Sequence, residues 1–473
     1  MLLTIDIGTS TFKSALWSCE NRRLSYASVP LSISDVQKHE ADPSQWLYAF
    51  SRCCKKLGSL KKVEAIIISG NGPSLVPVLG EPVFKNGLHV PAAASRLWLD
   101  RRAVEYQADV SKVMGGFVDA SFFLPKILYI KNKEPQLYEK TKFFLGCPEY
   151  LAYALTSRAR TVFPCDGYDR WFWNDTVLEK FKLEREKFPE YIRPGEQFGT
   201  ITSDAARYFG FRKNICVVSG GPDFFAAILG SGVTAPGQAC NRSGSSEGIN
   251  LCMLNRPRDS RLLFYAHPVK PYWNLSGNIN TTGKAIQWGS DLLGIENIND
   301  FIKTAQKSEA GSGGLVFLPY LAGERAPVWK SAVRASWNGI TLSAGRGEFA
   351  NSILESIGFA IRDVTGLMEE AGGRIEELRV TGGLSGCERL NQIKANITGI
   401  EVLEGEYRET ELLGLAIIGG CFTGRYSSLR EASSSNIKIK RRYEPNHKNN
   451  ELYKGLFCEY VKMRNNSSSE DFT

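Results

Sequence analysis

Residues 217–248 constrain this chain more than any other stretch. They follow Ile215 in a β-branched run, tighten at Gly220, Gly221 and Pro222, and put Asp223 where a small-residue, helix-like segment begins. The carboxylate is therefore predicted at the end of a strand. Farther on, Pro236-Gly237 marks a turn, and Ser243-Gly244-Ser245-Ser246 makes a hydroxyl and glycine loop between two strand-like stretches. Loops of this kind aim backbone N–H groups at phosphate oxygens. A candidate base and a candidate phosphate cradle on either side of one turn point to phosphoryl transfer, which needs mostly positioning and charge neutralisation.

Residues 2–17 supply a second hairpin of the same kind, two strand-like runs joined at Gly8-Thr9-Ser10-Thr11 with Asp6 just before the turn. Asp6 suits a hydrated Mg2+, an ion held by one or two carboxylates plus waters and phosphate oxygens. It equally suits an ordinary hairpin whose Asp caps its own turn. At 473 residues the chain is too long for one core, so two or more domains are expected. Eleven cysteines with no C-x-x-C pair read as reduced thiols, and a net charge of +8 without a dense basic stripe argues against nucleic acid as partner. No apolar run has the length of a membrane span and no leader-like block opens the chain, so the expectation is a cytoplasmic protein that does not engage the membrane.

The pattern D-x-G-T-x-x-x-K from Asp6 to Lys13, then G-G-x-D ending at Asp223, then S-G-S-S from Ser243, resembles the FGGY family of carbohydrate kinases, within the actin and hexokinase superfamily. The resemblance continues in order through L-W-L-D-R-R at 97–102, P-G-E-Q-F-G-T at 194–200, A-I-Q-W at 285–288, F-L-P-Y-L-A-G-E-R-A-P at 317–327 and T-G-G-L-S at 381–385. It implies an α/β fold of two ribonuclease-H-like (actin-like ATPase) domains with a cleft between them, closing about Pro236-Gly237 on ATP and a sugar or polyol. The implied boundaries are 1–237 for a sugar-binding domain, 238–428 for a nucleotide-binding domain and 429–473 for a polar C-terminal segment.

The same resemblance assigns roles. Asp223 matches the family's catalytic base, with Phe224 beside it on the acceptor side. Thr9, Ser10, Thr11 and Lys13, with Gly244 and Ser245, match phosphate-side positions, and Asp6 matches the carboxylate that holds Mg2+. Gly283, Gln287, Gly382 and Gly383 match nucleotide-holding positions, and Cys387 stands where many relatives carry an adenine-side Asn. Trp98, Asp100 and Arg102 match W-x-D-x-R, whose Asp faces sugar hydroxyls. Family members place polar side chains on the loop that here reads Asn71-Gly72-Pro73-Ser74, so only Asn71 is retained as a substrate contact. Pro222 and Asn396 depart from the family's Gly and acid. Lys126 and the run Trp171-Phe172-Trp173 read as structural, residues 411–420 as a helix packing the second domain, Lys438 to Arg442 as solvated surface, and 465–473 as disordered in composition.

Competing motifs are weaker. Residues 244–248 also spell G-x-S-x-G around Ser246, but a nucleophile elbow needs a helix after the serine, and residues 249–254 alternate like a strand. Gly283-Lys284 lacks the spacing and hydroxyl of a P-loop, and four scattered histidines give no support to a zinc site. The expected function is ATP-dependent phosphorylation of a hydroxyl of a small sugar or polyol, such as the ketopentose xylulose. The alternative is a catalytically silent nucleotide- or sugar-binding sensor of the same fold. Homodimerisation is left open.

Overall fold

The computed structural model describes every residue except Lys85, Asn86, Arg258, Ser260, Ser331 and 470–473. The chain divides into two compact units, Met1–Gly230 with Glu411–Asn436, and Ser231–Thr410 with Ile437–Thr473.

In the first unit, β1 (Leu2–Ile7), β2 (Thr11–Trp17), β3 (Arg23–Pro30), β4 (Ala65–Gly70), β5 (Gln197–Thr200) and β6 (Cys216–Pro222) form one sheet in the order β5-β6-β4-β1-β2-β3. Strands β6, β4 and β1 run parallel, whereas β1-β2-β3 and β5-β6 are antiparallel. The parallel centre is covered on both faces, so β1 and β4 are buried throughout, and Ile66-Ile67-Ile68 is a continuous apolar run. Helices α1 (Ser44–Leu57), α2 (Phe123–Lys133), α3 (Cys147–Thr156) and α4 (Asp223–Ser231) follow in the chain. Trp46, Phe50, Tyr150 and Leu151 from α1 and α3 share one core with Leu3, Ile5 and Ile68 of the sheet.

In the second unit, β7 (Gln238–Ser243), β8 (Glu247–Met253), β9 (Leu263–Ala266), β10 (Trp273–Ile279), β11 (Glu377–Thr381), β12 (Glu401–Gly405) and β13 (Ile439–Tyr443) form a sheet in the order β9-β10-β8-β7-β11-β12-β13. Five adjacent strands of each sheet thus share one plan: three antiparallel strands, the first of which pairs in parallel with later strands. This is the mixed α/β plan of an actin-like ATPase, built twice. Helices α5 (Gly283–Leu292), α6 (Arg346–Glu370) and α7 (Glu388–Thr398) belong to this unit. Helix α6 is buried nearly all round between Ala350 and Met368, as befits a helix with apolar residues on every side.

Helix α8 (Thr410–Phe422) packs with the first compact unit from Glu411 onward. Its glycines explain the packing. A Cβ on Gly414 would strike the Ala226 backbone of α4, and one on Gly419 would meet Ile67 and Leu2 of the sheet. The polar C-terminal segment is also ordered. Strand β13 completes the second sheet, its Lys440, Arg441 and Arg442 exposed as expected, and helix α9 (His447–Ser469) follows. Tyr453 and Tyr460 of α9 are buried and Phe457 packs beside them, an i, i+4, i+7 stripe that outweighs the polar composition. Of the segment 465–473 read as disordered, 465–469 is helical and 470–473 lies outside the described residues. Among the described residues no helix is long and apolar enough to cross a membrane.

Candidate functional site

In the first unit the register Ile7↔Gly70↔Pro222 brings the carboxyl ends of β1, β4 and β6 level. Asp6, Asn71 and Asp223 therefore sit at the ends of three adjacent parallel strands spaced about 5 Å apart. Asp6 is 3% exposed and its Oδ2 lies 3.7 Å from Lys13 Nζ, while its Oδ1 has no hydrogen-bond partner among the described residues. Burial pushes the Asp6 carboxyl up to about 7; Lys13 opposes this, and the charges of Glu411 and Asp223 add to it. Asp6 and Asp223 also act together on Cys147, whose thiol is raised first by burial and then by Glu149 and these two acids. Asp223 opens α4, and its Oδ1 accepts the Phe224 N–H at 2.6 Å.

A buried carboxylate with one unpartnered oxygen beside a lysine fits a hydrated divalent cation, which would satisfy that oxygen. Among the described residues no three His, Cys, Asp or Glu side chains converge to enclose a metal, so the fit is to an ion held largely by waters and phosphate oxygens. Glu411, at the start of α8, was not singled out from sequence. Its Oε2 is buried without a partner among the described residues, and its charge acts on Asp6. The available signal was one acid opening an otherwise apolar, glycine-bearing helix.

The first hairpin turns at Gly8, whose N–H donates to Thr11 O at 3.1 Å. Among the described residues the Thr9 and Ser10 N–H groups have no partner, and Ser10 is exposed. Trp98 Nε1 donates to Thr9 Oγ1 at 2.9 Å. Asp100 is nearly fully buried and paired with Arg102, which donates from N and Nε to Oδ1 at 3.0 Å and from Nη2 to Oδ2 at 2.7 Å. Burial pushes Asp100 up, but the bonds from Arg102 outweigh it and hold the carboxyl below its ordinary value. Oδ2 retains one lone pair for a hydroxyl.

Arg102 also meets Glu40 at 2.8 Å, and Arg96 meets Glu40 and Glu134 at 2.5 and 2.7 Å. Asn71 is engaged in the fold: Nδ2 donates to Ile7 O at 2.8 Å and Oδ1 accepts from Ser74 at 2.5 Å. Phe224 stacks on Tyr168 with ring centroids 6.2 Å apart. Lys126 donates to the carbonyls of Pro73, Arg96 and Leu97 at 2.9, 3.3 and 2.6 Å, which accounts for it as a structural lysine.

In the second unit the loop between β7 and β8 is pinned by its carbonyls. Gly283 N donates to Gly244 O at 3.1 Å, and Thr282 N and Lys284 N donate to Ser245 O at 3.2 and 3.3 Å. Among the described residues the Ser245 and Ser246 N–H groups are left without partners. Gly283 and Gly382 are required by close approach, since a Cβ would strike Gly244 O in one case and Ser243 O in the other, and Gly382 holds φ +84. Gly383 faces open space. Cys387 caps α7, its thiol raised chiefly by burial, and Gln287 on α5 donates to Asp291 at 3.0 Å. Strand β8 follows Ser246 directly, so the G-x-S-x-G match lacks the helix an elbow needs.

Residues 1–230 match the N-terminal domain of the FGGY family of carbohydrate kinases, and residues 239–421 match its C-terminal domain. The chain is 26% identical to a xylulose kinase of Staphylococcus epidermidis (strain ATCC 12228 / FDA PCI 1200), over 97% of this chain and 95% of that protein. Its fold matches a xylulose kinase from Lactobacillus acidophilus with TM-score 0.85 at 22% identity, covering 99% of each chain. A gluconate kinase from the same organism matches with TM-score 0.85, 22% identity and 99% coverage of each chain. With both family domains matched in order over most of its length, the chain belongs to the FGGY family of carbohydrate kinases.

Proposed function

We propose that this kinase transfers the γ-phosphoryl group of ATP to a hydroxyl of a small neutral sugar or polyol, with the ketopentose xylulose as the first acceptor to test. The observation that carries the reading is the alignment of Asp6, Asn71 and Asp223 at the level carboxyl ends of β1, β4 and β6. Asp223 is assigned as the base that takes the acceptor hydroxyl's proton as its oxygen attacks the γ-phosphorus. Asp6, with Oδ1 unpartnered among the described residues, would hold Mg2+ through water, and Glu411 adds negative charge on the same side. When bound, that ion neutralises phosphate charge.

The N–H groups of Thr9 and Ser10, the Thr11 hydroxyl, and the Lys13 ammonium serve the phosphates from the first unit. Within the second unit, taken by itself, the N–H groups of Ser245 and Ser246, beside Gly244, make a donor set suited to phosphate oxygens. Gly283, Gly382 and Gly383 give the nucleotide close access to backbone, with Gln287 and Cys387 alongside. Trp98, Asp100, Arg102, Asn71 and Phe224 line the acceptor side. A neutral acceptor is favoured over a hexonate because Arg96 and Arg102 are already neutralised by Glu40, Glu134 and Asp100. A cytoplasmic location goes with this proposal, since ATP is its phosphoryl donor.

The test is acceptor-stimulated ADP release over ketopentoses, hexonates and short polyols. Xylulose or another neutral acceptor should give the highest kcat/KM. Preference for gluconate would overturn the neutral-acceptor reading, and ATP binding without stimulated turnover on any acceptor would favour a silent sensor.

A further inference from the structure

Beneath the Gly244–Ser246 loop lies a charged network that the proposed chemistry does not use. Lys394, on α7, is fully buried, as are Asn241, Ser243 and Glu247 on the facing hairpin. Lys394 Nζ donates to Asn241 Oδ1 at 2.7 Å, to Ser243 Oγ at 2.6 Å and to Glu247 Oε1 at 2.9 Å. These three bonds use all the donors of an ammonium. Asn241 Nδ2 donates to Glu247 Oε2 at 2.8 Å and Ser243 Oγ donates to Glu247 Oε1 at 2.9 Å, so the carboxylate is also held at both oxygens.

Placement makes this more than a filled core. Asn241 and Ser243 project from one face of β7, and Glu247 stands opposite Ser243 in the ladder, so the three acceptors surround the two residues from which the loop springs. Lys394 reaches them from the helix that begins after the Gly382-Gly383 turn. The turn itself meets the hairpin, with Leu384 N donating to Ser243 O at 3.4 Å. A buried ion pair is a poor source of stability compared with apolar groups of the same volume, but it imposes direction and distance.

We infer that the Lys394–Glu247 pair is a positioning device for the nucleotide's phosphates, fixing the Ser245–Ser246 donors relative to the Gly382–Cys387 segment. Neither residue touches nucleotide: both are fully buried, and every donor of Lys394 is spent within the unit. The inference rests on the reading of residues 244–246 as a phosphate loop.

The test is calorimetric binding of ADP and of adenosine to the full-length protein and to the E247Q/K394M double variant. The introduced amide keeps an acceptor for Asn241 and offers a donor to Ser243 Oγ, while the introduced thioether removes the link to α7 without leaving an unpaired buried charge. The variant should melt within a few degrees of the parent, lose about tenfold or more in ADP affinity, and bind adenosine within about twofold of the parent. ADP affinity within about twofold of the parent, or equal losses for ADP and adenosine, would overturn the positioning role. If the double variant does not fold, Ser243→Ala decides. It deletes the hydroxyl that accepts from Lys394 and donates to Glu247 at the foot of the loop, and should lower ADP affinity about threefold or more with adenosine unchanged, whereas unchanged ADP affinity would overturn the inference. Failure of the unmodified protein to bind ADP would instead remove the phosphate-loop reading itself.

Discussion

The indole N–H of Trp98 donates to the Thr9 hydroxyl at 2.9 Å, so the W-x-D-x-R segment is tied directly to the turn of the first hairpin. Under the proposed assignment, one side chain then joins the acceptor side to the phosphate side of the first unit. Trp98→Phe keeps the aromatic bulk and deletes the donor, a loss of about 1 kcal/mol for a neutral hydrogen bond. The expected result is a fall in kcat/KM of roughly fivefold with little change in melting temperature. Steady-state kinetics on the best acceptor, with a thermal melt, check it.

Gly283 and Gly366 make a matched pair of glycine tests. A Cβ at Gly283 would run into the Gly244 carbonyl, which is backbone and cannot swing away, whereas at Gly366 on α6 it would meet nothing within 4 Å. Gly283→Ala should displace the loop and weaken ADP binding by about tenfold or more. Gly366→Ala should leave binding unchanged and stabilise the helix by roughly 0.5–1 kcal/mol. Titration calorimetry and urea unfolding give the two readouts.

Glu149 on α3 gives a pH-dependent prediction away from the chemistry. It is buried, its Oε1 accepts the Val162 N–H at 3.1 Å, and burial raises its carboxyl from an ordinary 4.5 to about 7, with hydrogen bonds from the Glu149 and Val162 backbones opposing. Between these values the folded chain binds a proton that the unfolded chain does not. The residue's contribution to stability therefore declines as pH rises through this window, and its cost is complete above about 7. Glu149→Gln keeps the acceptor and removes the charge, so it should raise stability by roughly 1–3 kcal/mol at pH 8 and change it little at pH 4.5. Denaturant unfolding at the two pH values tests this; equal effects at both would contradict it.

Much of the frame was legible because the deciding signals are local. The turns at Gly8-Thr9-Ser10 and Gly244-Ser245-Ser246 carry their own turn chemistry, and the β-branched run into Gly220-Gly221 announced a strand ending at Asp223. What stayed hidden depends on distant partners. Periodicity showed that 411–420 is an apolar helix but could not say which sheet it covers, and the answer lies in the fit of Gly414 on Ala226 and Gly419 on Ile67. Nothing local marks Lys394 and Glu247 as partners, because they stand 147 residues apart. A lysine inside the buried stripe of α7 was the available hint. The C-terminal helix is hidden by its polar composition, which masks the helical spacing of Tyr453, Phe457 and Tyr460.

Asp223 is the proposed base for the acceptor's proton, and Asp223→Asn tests that role most directly when nucleotide binding and turnover are measured on the same preparation. ATP affinity should stay within about threefold of the parent while kcat on the best acceptor falls by about 10²-fold or more. Turnover within tenfold of the parent, at unchanged ATP affinity, would contradict the assignment.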